Sequence, residues 1–112
     1  MVENNYDIFE LIMKKANRFV NSWNGKLIFV YLPDFNNYGK LWENFEIKRK
    51  NTFLKSVNMD DILVIDANTI FDKHSSPLEL FPFEQFLHYS EKGYRFLTLQ
   101  LIKIFKNRKI ID

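Results

Sequence analysis

Two short apolar runs limit what this chain can become. Lys26-Leu27-Ile28-Phe29-Val30-Tyr31-Leu32-Pro33 ends at a proline, and Ile62-Leu63-Val64-Ile65-Asp66 follows Asp60-Asp61. Neither alternates apolar with polar residues, so neither reads as a strand with one wet face. Each reads as a strand buried on both faces, as in a parallel sheet covered by helices.

Helical patterns surround these runs. From about Tyr6 to Trp23, the residues Phe9, Ile12, Met13, Ala16, Val20 and Trp23 recur at three- and four-residue spacing, with Lys14, Lys15 and Arg18 on the other side. Asn24-Gly25 stops this helix, because both residues tolerate positive φ. Leu41 to Asn58 is a second helix, with Leu41, Trp42, Phe45, Phe53, Leu54 and Val57 as its apolar members. Its basic triplet Lys48-Arg49-Lys50 reads as a solvated face. Asn68 to Phe71 is a turn of helix. Ser90 is placed to cap a last helix, Glu91 to about Asn107, with Tyr94, Leu97, Leu101, Ile102 and Phe105 inward. Asp34 to Gly39 is a polar loop. Asp72 to Tyr89 is a long irregular connection, a kind of segment that is usually functional or disordered. Its Leu and Phe content argues against disorder.

The order helix, strand, helix, strand, long loop, helix implies an α/β domain with right-handed crossovers and a three-layer α/β/α sandwich. At 112 residues the chain holds one domain at most. Two parallel strands leave an exposed edge on either side. The expected sheet is therefore a partial, flavodoxin-like one with few strands, completed by further chain or by oligomerisation.

Composition removes several function classes. Sixteen basic against fourteen acidic residues leave a net charge of +2, too balanced for nucleic-acid binding by electrostatics. The absence of cysteine excludes disulfides, thiolate metal sites and a cysteine nucleophile. Gly25, Gly39 and Gly93 lie too far apart for a phosphate-binding loop, which sets aside a receiver-like or flavodoxin-like nucleotide domain. The two histidines, His74 and His88, lack metal-ligand spacing. Neither metal nor cofactor is expected. The polar N-terminus does not resemble a signal peptide, and no apolar stretch approaches the roughly 20 residues of a membrane span. The chain reads as soluble, and as cytoplasmic by default.

In open parallel sheets, ligands bind at the carboxyl ends of the strands. The first run ends at Pro33-Asp34 and the second at Asp66. The long connection should return His88 to the same edge, near Asp66, Asp34 and Glu84. A histidine with an orienting carboxylate is the base half of a nucleophilic triad. A structural histidine among aromatics is the other reading.

Several segments resemble SGNH/GDSL-type hydrolase-like proteins. They are Trp23 to Pro33, Ile62 to Asp66, Pro77-Leu78-Glu79-Leu80-Phe81-Pro82-Phe83 and, most telling, His88-Tyr89-Ser90-Glu91-Lys92-Gly93-Tyr94. In the last block of that family a histidine precedes a short turn, a glycine and the final helix. The resemblance covers about residues 6 to 107. It implies that His88 is the general base, taking a proton from a serine hydroxyl during attack on an ester and returning it to the leaving alcohol. The family commonly carries an aspartate three residues before this histidine, where this chain has Gln85. Glu84 or Asp66 would then supply the acid. The family's Gly-Asp-Ser nucleophile motif does not occur, and Ser22, Ser56, Ser75, Ser76 and Ser90 are not in its context. Its oxyanion-hole Gly and Gly-x-Asn elements are also missing.

The expectation is thus the C-terminal portion of an ester or acyl hydrolase, inactive alone, for an ester or an acylated small molecule or glycan. The alternative is a non-catalytic α/β interaction module that self-associates, as a homo-oligomer, through its sheet edges.

Overall fold

The computed structural model describes residues 2–38, 43–59, 61–84 and 88–112, without the side chains of residues 2–4, 43, 44 and 84. In chain order the elements are α1 (Val2–Asn21), β1 (Ile28–Tyr31), α2 (Glu43–Ser56), β2 (Leu63–Asp66), α3 (Ala67–Asp72) and α4 (Glu91–Asn107). Short 3-10 turns cover Phe35–Tyr38, Pro77–Leu80 and Pro82–Glu84. The chain is a mixed α/β structure, mostly helical, around a two-stranded parallel sheet. It forms two compact units, one of Met1–Tyr31 with Asn44–Asp66, the other of Leu32–Glu43 with Ala67–Asp112.

The first unit contains the sheet. β1 and β2 pair in register from Ile28 opposite Leu63 to Tyr31 opposite Asp66. Both strands lie where the apolar runs predict them. Their burial is lighter than a strand covered on both faces would have. All four residues of β1 are half-buried, and within β2 only Ile65 is buried. The reason is width: among the described residues no third strand pairs with either one, so each strand keeps an open edge.

α1 ends where Asn24 adopts φ 61°. The Asn24 N–H bonds to the Asn21 carbonyl at 3.1 Å and the Gly25 N–H to that of Val20 at 2.9 Å, so the turn satisfies the helix's last carbonyls. Phe9 meets Phe29 at 6.0 Å and Phe53 at 5.1 Å between ring centroids, both edge to face, and Tyr6 meets Phe53 at 5.1 Å. These rings lock α1 to β1 and α2. The predicted stripe holds in part. Met13, Ala16 and Val20 are half-buried, but Ile12 and Trp23 are exposed, and Asn17 is buried in their place. Val57, just past the end of α2, is buried in the core, while Phe45 in α2 faces outward. Leu41 and Trp42 lie outside the described residues.

The second unit is built on aromatics. Phe71, Leu80 and Phe81 are essentially inaccessible. Phe71, Phe81 and Tyr89 form a mutually contacting triangle, extended by Phe35, Tyr38 and Phe96. In the described part of the long connection, Leu80 and Phe81 are buried while Phe83 is exposed, and the backbone is shaped by the turns Pro77–Leu80 and Pro82–Glu84. Of the α4 residues predicted to face inward, Leu97 is buried and Leu101 and Phe105 are half-buried, while Tyr94 and Ile102 are exposed.

Candidate functional site

The site is assembled at the start of α4, within the second unit. Ser90 caps the helix: its Oγ accepts the Gly93 N–H at 3.1 Å, and its own N–H bonds to the Leu80 carbonyl at 2.9 Å. The capped turn is thereby stitched to the Pro77–Leu80 turn. Replacing Ser90 by alanine should cost about 1 kcal/mol of stability, read from the urea midpoint; an unchanged midpoint would show that the cap contributes nothing. Lys92 adds an exposed ion pair to Glu79 at 2.6 Å, and its hydrogen bond and charge hold the Glu79 carboxyl below its usual range.

His88 lies just before this cap and is exposed. It lines an open pocket of about 240 Å³ together with Leu32, Pro33, Asp34, Tyr89 and Tyr94. Tyr89 fixes the wall by donating its hydroxyl hydrogen to the Pro33 carbonyl, and its ring sits 5.3 Å from that of Tyr94. Asp34 is held by its own loop: the Asp34 N–H bonds to Asn37 Oδ1 at 2.8 Å, and Asp34 Oδ1 accepts the Asn36 N–H at 2.7 Å. That loop is anchored in turn through Tyr38, whose Oη accepts from Asn68 Nδ2 at 3.0 Å. Burial first, and then the Asp72 carboxylate, push the Tyr38 hydroxyl far above its ordinary value, so it stays protonated.

The predicted site residues divide. His88 and Asp34 share the pocket. Asp66 belongs to the other unit, where Lys50 Nζ approaches its Oδ2 at 3.0 Å across a largely buried pair. The solvated-face reading of Lys48-Arg49-Lys50 holds for Lys48 and Arg49, which stand exposed, Arg49 with its guanidinium 5.7 Å from the Phe53 ring centre, and fails for Lys50, which turns to the end of β2. Glu84 ends the Pro82–Glu84 turn, and its side chain, like the whole of Gln85, falls outside the described residues. Three of the serine hydroxyls serve backbone carbonyls: Ser22 to Phe19, Ser56 to Thr52, and Ser90 to Glu79.

Sequence reasoning did not single out Tyr89 and Tyr94 as pocket residues. Their place beside His88 in the His-Tyr-Ser-Glu-Lys-Gly-Tyr block was the available signal. His74, by contrast, serves structure, because its Nδ1 accepts the Ser76 N–H at 3.0 Å and its ring stands edge-on to Phe96 at 5.0 Å. Among the described residues no group of three His, Asp or Glu is placed to hold a metal, and no described helix is long and apolar enough to cross a membrane. Comparison of the chain with protein-family models, with curated proteins and with solved structures finds no match.

Proposed function

We propose that this chain is the C-terminal portion of an SGNH/GDSL-type ester or acyl hydrolase, with His88 as its general base, in a three-layer α/β/α frame whose remaining strands and serine come from other polypeptide. The observation that carries this reading is the position of His88, exposed on the wall of an open pocket at the capped start of the final helix. Asp34, on the same pocket, is the carboxylate that the geometry offers to orient the imidazole. Glu84 and Asp66 are the alternatives. The substrate class is an ester or an acylated small molecule or glycan, attacked by a serine whose proton His88 removes.

The test uses nitrophenyl acetate, with the wild-type chain and His88→Ala each assayed alone and each combined with a polypeptide carrying a Gly-Asp-Ser block of this hydrolase type. Both chains alone should match the buffer blank. In combination the wild type should exceed His88→Ala by about 10²- to 10⁴-fold, the usual contribution of a positioned base. Equal rates in combination would remove His88 from the chemistry. A His88-dependent rate from the chain alone would place a nucleophile within these residues. Because His88 is exposed, its removal should change stability by no more than about 0.5 kcal/mol.

A second reading is a non-catalytic module that self-associates. The open edges of the two-stranded sheet favour it. It expects a dimer indifferent to His88.

A further inference from the structure

α1 carries more apolar surface than its own unit covers. Phe9 is committed to the core rings, yet Ile8, Leu11, Ile12 and Phe19 are 55%, 52%, 56% and 69% exposed. Residues 8, 12, 15 and 19 follow the alternating four- and three-residue spacing of a helix–helix seam. Lys15 is the one polar member, and a lysine stem lies along apolar surface while its amine stays in water.

The charges on the same helix are sorted by position. Glu3, Asp7 and Glu10 occupy its first half, and Lys14, Lys15 and Arg18 its second. The helix dipole favours such sorting only within the first and last turns, so it does not account for Glu10, Lys14 and Lys15 at the centre. Glu10 and Lys14 pair with each other at 2.9 Å. Asp7, Lys15 and Arg18 stand exposed. A surface that is acidic at one end and basic at the other complements itself when two copies run antiparallel.

We propose that the exposed face of α1 docks a second copy of this chain, the two helices antiparallel about a twofold axis. Setting Ile8 opposite Phe19 of the second copy also sets Ile12 opposite Lys15 of that copy. It brings the Asp7 end of each helix to the Arg18 end of the other. A parallel pair would set Arg18 against Arg18 and Asp7 against Asp7. The contact is isologous, as closed dimers require. With exposed aliphatic and aromatic side chains contributing on the order of 100–150 Å² each, the seam and the adjacent Trp23 bury roughly 1,000 Å² or more between two copies, enough for a specific dimer. The inference rests on the self-association reading, moves the contact from the sheet edges to a helix face, and is independent of the ester chemistry.

The test is sedimentation equilibrium of the full chain over a dilution series. The wild type should show twice the 13.6 kDa of one copy. Ile12→Lys should give a folded monomer with an unchanged far-ultraviolet circular dichroism spectrum, because Ile12 is exposed in the single copy, and its melting curve should lose only what association adds. Asp7→Lys and Arg18→Glu should each weaken the dimer by about tenfold in dissociation constant, and the double variant should restore it. A wild-type monomer would overturn both this inference and the self-association reading. A dimer untouched by Ile12→Lys would overturn the helix face and leave the sheet edges. Loss with Ile12→Lys but no rescue by the double variant would overturn the antiparallel register, leaving a second copy on this face in another arrangement.

Discussion

Phe81→Ala is expected to lower stability by about 3–5 kcal/mol, the range for emptying a buried phenylalanine site. Phe81 is 2% exposed, and its ring meets Phe35, Tyr38, Phe71 and Tyr89 at centroid distances of 5.9, 6.1, 6.1 and 5.4 Å. Removing it leaves a void bounded by rings that are themselves anchored. Tyr89 is held to Pro33 and Tyr38 to Asn68, so the site collapses poorly and the cost falls toward the upper end. Against a typical domain stability of about 5–15 kcal/mol, this is enough to shift a marginal chain toward the unfolded state. Urea denaturation reads the loss directly. Phe83→Ala is the matched control: two residues away and 87% exposed, it should change the midpoint little. Equal effects at both positions would show that Phe81 is not the hub of this unit.

Gly93→Ala is expected to be destabilising, by about 1–3 kcal/mol for forced overpacking, although propensity alone argues the opposite sign. In an open helix interior, alanine is favoured over glycine by about 1 kcal/mol. Here a Cβ would stand 2.1 Å from the Leu80 carbonyl oxygen and 3.0 Å from its carbon. Those are backbone atoms, and the same oxygen accepts the Ser90 N–H. The chain can make room only by separating α4 from the Pro77–Leu80 turn, which breaks the stitch that sets the direction of the residues before Ser90. Gly93 is needed here for close approach and not for a left-handed φ, since no glycine among the described residues has positive φ. Gly93→Val should cost more than Gly93→Ala. A gain in stability for the alanine variant would mean that the two turns do not touch as closely as described.

The parts of this fold that were legible in the sequence are those fixed by local chemistry. The non-alternating runs located β1 and β2 by their apolar content, while Asn24 marked the end of α1 and Ser90 the start of α4 through hydrogen bonds spanning a few residues. What the pattern could not supply was coverage. Helical periodicity shows that α1 has a wide apolar arc, but not which half meets Phe29 and Phe53, so Ile12 and Trp23 were expected inside where Asn17 is found. An apolar run likewise shows that a strand wants neighbours, not how many it has.

The site follows the same division. His88 before a capped turn could be recognised from adjacent residues. The bond from Tyr89 to Pro33 spans 56 positions, and the Lys50–Asp66 pair joins a helix to a strand end. No local pattern encodes either contact.

Each of the two units is drawn from two separated stretches of chain: the backbone leaves the first at Tyr31, returns at Asn44 and leaves again at Asp66. Contiguous pieces therefore do not correspond to units. A fragment beginning after Tyr31 carries β2 without the strand it pairs with, and one ending at Asp66 takes the loop with Asp34 away from the residues that hold it. Trimming the gene to isolate the His88 pocket would thus expose unfinished apolar surface at the cut. Proteolytic mapping should yield nicked chains that stay associated before it yields any separable, folded fragment.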